Sequence, residues 1–236
     1  MEYDGFSNND IVPSIPAIVE GNYEERTAVT LLLDISDSMR GRPIDQIHQG
    51  LEKLKALIKR DSLVASRVCI SVITFGGKGP EPVTLVQDFI DGTDFDQQIT
   101  LTAGGLTPMG GAVELALDKQ EQFKRDMRAS GGTYKRPWIV LMTDGAPTDD
   151  YKAVAARCAQ MVSQGKLLFW PLATDGADHD VLLEFAGPDG HVFDVAGADL
   201  SSMFEWVGVS VASASYSSAD EEVQFTAPGR IITARV

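Results

Sequence analysis

Residues 30–39 read TLLLDISDSM, and this stretch decides how the rest of the chain is organised. Leu31, Leu32 and Leu33 form the continuous apolar run of a strand covered on both faces. The run ends at Asp34. Ser36 and Ser38 follow at alternating positions, giving the pattern D-x-S-x-S. Pro43 then opens a helical pattern carried by Ile44, Ile47, Leu51, Leu54 and Ile58. Three oxygen-bearing side chains therefore fall in the loop after the C-terminal end of a strand, where ligands bind in open α/β sheets. Hard oxygen donors on such a loop suit Mg²⁺ or another small divalent ion. The same residues also read as a Ser/Asp-rich loop that caps the next helix.

The pattern continues outward from that strand. Residues 67–75, RVCISVITF, and 83–89, VTLVQDF, are strand-like, and the turn chemistry of GGKGPEP at 76–82 joins them as an antiparallel hairpin with an edge strand. TAGGLTPMGGA at 102–112 is a Gly-rich loop. Thr107 precedes Pro108, which turns Thr107 away from the α region and sets Pro108 at the first helical position. Thr107 also reads as the cap of that helix, which runs through Val113, Ala116 and Leu117 toward Met127. Residues 138–145, WIVLMTDG, form a second buried strand ending at Asp144.

A helix with Tyr151, Val154, Cys158, Met161 and Val162 inward follows. Then come a strand at 167–174, a short helix at 181–186 and a last short strand at 191–195. Leu200, Met203, Phe204, Val207 and Val211 mark a final amphipathic helix. Alternating strands and helices predict a doubly wound α/β fold: a mainly parallel, Rossmann-like sheet with helices on both faces and one antiparallel edge strand. Residues 1–25 are polar and read as a flexible leader, 26–214 as the domain, and 215–236 as a C-terminal tail or appended β-hairpin turning at Pro228-Gly229.

Composition limits the partners. The 236 residues suffice for one α/β domain with a full core. Lys+Arg number 20 against 34 Asp+Glu, a net charge of −14, which argues against nucleic acid and anionic membrane surfaces. Cys69 and Cys158 lie on apolar stretches, and their spacing forms no metal motif or disulfide framework. The acidic N-terminus lacks the marks of a signal peptide, and no apolar stretch is long enough to span a bilayer, so the chain reads as cytoplasmic.

Three loops now carry oxygen ligands in strand-end contexts: Asp34, Ser36 and Ser38; Thr107; and Asp144. A doubly wound sheet can bring all three to one carboxyl edge. Enzyme motifs fit less well. An aspartyl phosphatase needs a second Asp two residues after the first, and Ser36 stands there. Gly208, Ser210 and Ala212 fall inside a helical pattern and make no hydrolase elbow. GGKG at 76–79 lacks the context of a phosphate loop, and His48, His179 and His191 are scattered.

In these residues the chain resembles the von Willebrand factor A family, whose metal-ion-dependent adhesion site (MIDAS) combines D-x-S-x-S with a later Thr and Asp. The resemblance runs from about residue 27 to 214. It implies metal ligation by Asp34, Ser36, Ser38, Thr107 and Asp144, with Mg²⁺ as the ion and Mn²⁺ or Ca²⁺ as alternatives. It further implies a non-enzymatic module whose partner protein supplies an Asp or Glu carboxylate to the metal. Within the family, LLLDISDSMRGRPI, SVITFGG, GGLTPMGGA, LMTDGAPTD and MFEWVGVSVASAS look most like the bacterial TerY-like tellurium-resistance group. That likeness implies a stress or signalling system with a protein kinase and a phosphatase. Asp37 departs from the family, which often has Gly there. Two other readings stand beside this one: a metal-dependent phosphatase or hydrolase, and a structural subunit whose metal only staples the loops.

Overall fold

In the computed structural model, which describes residues 22, 24–188, 190–195, 197, 199–219, 221–227 and 230–236, the apolar run before Asp34 becomes the centre of a sheet. Strand β1 (Thr27–Ile35) is buried along its whole length. It lies between parallel neighbours β2 (Val68–Gly76) and β4 (Trp138–Thr143). With β3 (Val83–Asp91), β5 (Leu168–Ala173) and β6 (Phe193–Asp194) the order is β3-β2-β1-β4-β5-β6. Only β3 runs antiparallel, at the edge, because a short loop joins it to β2. The other described pairings in this sheet are parallel.

Helices cover both faces. Helix α1 (Arg42–Lys59), the short α2 (Ser62–Arg67) and α6 (Leu200–Tyr216) bury Ile47, Leu51, Val64, Phe204 and Val207 against one side. Helices α3 (Met109–Ala129), α4 (Lys152–Ser163) and α5 (His179–Ala186) bury Val113, Leu117, Cys158 and Phe185 against the other. This is the expected doubly wound, mainly parallel, Rossmann-like architecture. From β1 the chain passes to β2 on one side and later reaches β4 on the other. The order therefore reverses between β1 and β4 and opens a crevice at their carboxyl ends.

The structure also corrects several local expectations. Helix α2 was not anticipated; at six residues it is too short to show a period, and the Asp61 side chain caps it by accepting from the N–H groups of Leu63 and Val64. Helix α1 starts at Arg42, one residue before Pro43. Helix α3 starts at Met109 with Pro108 as its N-cap residue, so Thr107 is not the cap. At the C-terminus, β7 (Glu222–Ala227) and β8 (Arg230–Arg235) form an antiparallel pair, while the turn at 228–229 lies outside the described residues. Phe225 and Val236 are buried in the same core cluster as residues of α1 and α6. Of the leader, residues 1–21 and 23 lie outside the described residues. Asn22 donates to the Ser66 carbonyl and Glu24 pairs with Arg67, so these two residues are tied to α2.

Candidate metal centre

The five candidate ligands come from three loops at the carboxyl edge of β1 and β4. Residues Leu33 and Met142 are paired across the two strands, which sets Asp34 beside Thr143. Thr143 Oγ1 donates to Asp34 Oδ2 at 2.7 Å, and the Ser36 N–H donates to Asp34 Oδ1 at 2.8 Å. Asp34 is fully buried. Burial is the largest influence on its carboxyl and pushes it from 3.8 up to about 6, against the lowering pull of the Thr143 and Ser36 hydrogen bonds. The Asp144 charge adds a small raising effect. A buried carboxylate with no cation among its partners is costly to ionise, and a divalent ion nearby removes that cost.

Toward solvent the oxygens touch one another. The Ser36 and Ser38 hydroxyls lie 3.0 Å apart, and Ser38 Oγ donates to Asp144 Oδ1 at 2.7 Å, joining residues 106 apart in the chain. Adjacent ligands of an octahedral ion with bonds of about 2.0–2.1 Å are about 2.9 Å apart. The hydrogen bonds thus hold three oxygens as close as ligands of one such ion, and the all-oxygen donor set suits Mg²⁺. Ser36 is buried, Asp144 half-buried and Ser38 exposed, so the group climbs from the sheet edge to the surface. Among the described residues no cluster of three or more His, Cys, Asp or Glu is placed to hold a metal. A site here relies on hydroxyls as much as on carboxylates.

The Gly-rich loop reaches the same rim by backbone bonds. The Gly104 N–H donates to the Ile35 carbonyl at 2.8 Å, and the Asp37 N–H donates to the Gly105 carbonyl at 3.1 Å. Gly105 has φ +75°, and a Cβ there would sit 2.0 Å from the Gly77 carbonyl oxygen. Only glycine permits that approach. Thr107 follows, buried, and is held to the loop after Asp144: its N–H donates to Thr148 Oγ1 at 3.1 Å, and the Thr148 N–H donates to its carbonyl at 2.9 Å. The Thr107 hydroxyl lies across from Gly145, 3.6 Å from where a Cβ on that residue would stand.

Sequence reasoning missed Asp149. Its carboxylate accepts from the Gly110 and Gly111 N–H groups at 3.0 and 2.8 Å, filling the cap that neither Thr107 nor Pro108 supplies. Asp37, where the family often has Gly, opens a 3-10 turn, Asp37–Met39, a right-handed conformation that needs no glycine. Arg40 donates twice to its carboxylate and holds it below the usual range.

The other reactive groups lie elsewhere. His48 Nε2 accepts from the Leu101 N–H at 2.8 Å. Cys69 and Cys158 are free and buried, and burial pushes both thiols upward, Cys158 to about 12. Among the described residues no helix is long and apolar enough to cross a membrane.

A family model described as the von Willebrand factor type A domain matches residues 28–205. No curated protein matches the chain. Among solved structures, proximal thread matrix protein 1 from the mussel byssus is similar at 17% identity and TM-score 0.55, over 80% of this chain and 48% of that one. A von Willebrand factor type A protein from Catenulispora acidiphila matches at 16% identity and TM-score 0.59, over 85% and 45%. The vWF domain of the type V pili tip protein Mfa5 from Porphyromonas gingivalis matches at 13% identity and TM-score 0.58, over 83% and 98%. The chain thus spans less than half the length of the first two. Identities this low show a shared fold alone.

Proposed function

This chain belongs to the von Willebrand factor type A domain family, a family of general protein-interaction and metal-dependent modules, and from that premise we propose that it binds a partner protein through a divalent metal ion. The ion is Mg²⁺ by default, with Mn²⁺ or Ca²⁺ as alternatives, and its ligands are Asp34, Ser36, Ser38, Thr107 and Asp144. The observation that carries this reading is the contact of Ser36, Ser38 and Asp144 oxygens at the open mouth of the β1/β4 crevice. Two carboxylates only balance a divalent charge. An ion so held stays electrophilic and accepts one more anionic oxygen, which an Asp or Glu of the partner supplies. With its net charge of −14, the chain favours a partner whose carboxylate sits in a neutral or basic patch.

In this reading the protein is not an enzyme, since the phosphatase, hydrolase and phosphate-loop motifs are each incomplete in its sequence. The sequence likeness supports a finer placement, a bacterial TerY-like protein working with a protein kinase or phosphatase in stress signalling, and the acidic N-terminal sequence supports a cytoplasmic one. Calorimetric titration with Mg²⁺ and Mn²⁺ tests the site, and equal binding by wild type and Asp34→Ala rejects the ligand set. A pull-down with and without EDTA tests the partner mode. Capture that survives EDTA favours a purely structural metal. Phosphate-ester turnover that disappears in Asp34→Asn replaces the module with a metal-dependent phosphatase.

A further inference from the structure

The opposite edge of the sheet carries a feature at odds with the acidity of the chain. Between the C-terminal ends of α3 and α4, where the chain enters β4 and β5, lies a cleft of about 570 Å³. Six of the chain's 20 Lys and Arg residues line it, namely Lys124, Arg128, Lys135, Arg136, Arg157 and Lys166, against one acid, Glu121. Helix C-termini attract cations through the macrodipole. That accounts for Arg128, near the end of α3, but not for a ring drawn from two helices and two loops.

Two of the six serve the fold. Lys135 is buried and donates to the Ala214 and Ser217 carbonyls. Lys124, also buried, pairs with Glu121 at 2.8 Å and reaches the Lys166 carbonyl. The other four also line the cleft. Arg128 and Lys166 are exposed, while Arg136 and Arg157 are half-buried. Arg157 pairs with the more exposed Asp118 at 2.9 Å. The Arg136 guanidinium lies against the turn at Gly165, where a Cβ would come within 3.0 Å of it, and Gly165 has φ +67°. Glycine at that turn leaves the guanidinium room to approach it.

We propose that this cleft binds a phosphate monoester dianion, presented as phosphoserine or phosphothreonine on a segment of a partner protein. A lining this basic, with Arg128 and Lys166 exposed on it and one acid among six cations, matches a doubly charged, three-oxygen group better than a single carboxylate. The volume leaves room for residues on either side of the phosphate. A nucleotide fits worse, because the one aromatic ring lining the cleft is already engaged: Arg128 covers Tyr134 at 5.3 Å, and Phe123 packs edge-on at 6.5 Å. Nucleic acid fits worse still, since a net charge of −14 repels a polyanion. The cleft lies away from the candidate metal ligands and does not depend on the metal reading.

The test is calorimetric titration at about 0.1 M salt with a short phosphoserine peptide, its unphosphorylated form and inorganic phosphate. The phosphopeptide is expected to bind at least about tenfold more tightly than either control. The double variant Arg128→Gln/Lys166→Gln changes exposed residues only, and is expected to keep its thermal midpoint and weaken the phosphopeptide about tenfold. Asp34→Ala and EDTA are expected to leave this binding unchanged, which separates it from the metal site. Equal affinity for both peptides, equal affinity for inorganic phosphate and phosphopeptide, or an unaffected double variant would each overturn the proposal.

Discussion

Thr143 donates a 2.7 Å hydrogen bond to Asp34, joining the end of β4 to the end of β1 at a point where neither side chain meets water. Thr143→Val keeps the volume and removes the donor, leaving a buried carboxylate oxygen short of a partner. The expected loss is about 1–3 kcal/mol near neutral pH and less once Asp34 is protonated. Urea unfolding in EDTA at both pH values measures it. An equal loss at both would detach the effect from the carboxylate.

Asp34 also sets a pH dependence. Burial raises its carboxyl from 3.8 to about 6. The folded state thus disfavours the ionised form, and metal-free stability from this group falls as pH rises through that window. The full change is about 3 kcal/mol. In EDTA, Asp34→Asn is expected to be more stable than wild type at about pH 7 and to lose that advantage below about pH 4. A divalent ion favours the carboxylate, so Mg²⁺ affinity is expected to fall as pH drops below about 6. Thermal unfolding and calorimetry across the range read both effects.

Thr107→Ala separates binding from folding. Pro108 is the N-cap residue and no side chain of its own caps α3, so the substitution removes a hydroxyl and no helix cap. Stability in EDTA is expected to change by less than about 1 kcal/mol. Mg²⁺ and partner affinity are expected to drop about tenfold, the worth of one good ligand contact. Unchanged affinity would remove Thr107 from the ligand set.

Asp149→Ala is the converse case. Asp149 is no candidate ligand, yet it bonds the Gly110 and Gly111 N–H groups from the loop that follows Asp144. Its loss should cost about 1–3 kcal/mol and weaken Mg²⁺ binding indirectly, by loosening Thr107 from Asp144. Asp149→Asn retains one acceptor and should recover part of both losses. A variant that loses stability with intact metal affinity would show that the two loops hold their places independently.

The contrast between Asp34 and Asp149 shows what a sequence can reveal. Asp34 ends a run of leucines that allows little but a buried strand, and Asp144 ends another apolar run, so the sheet edge that carries both aspartates could be read directly. Asp149 acts 39 and 38 residues from its two donors, and no local pattern announces that contact. Thr107 looked like a cap because Thr-Pro before a glycine-rich helix start has that chemistry, but α3 begins one residue later. Helix α2 spans less than two turns and left no period. The basic cleft was invisible because its cations are scattered from Lys124 to Lys166 in an acidic chain.

The burial of Phe225 has a spectroscopic consequence. All three tryptophans, Trp138, Trp170 and Trp206, belong to one cluster, with ring centroids 4.5 and 5.0 Å apart along it. Phe225 stands edge-on to Trp138 and Trp170 at 5.6 and 5.1 Å. Intrinsic emission therefore arises from a single shielded source and should be blue-shifted. It should move to the red when the C-terminal hairpin is cut away. Trp138 begins the strand that Asp144 follows, about 20 Å away at strand rise. An ion settling among the loop oxygens should leave the emission unchanged, and any change on adding Mg²⁺ would mean that β4 carries a displacement from one end of the sheet to the other.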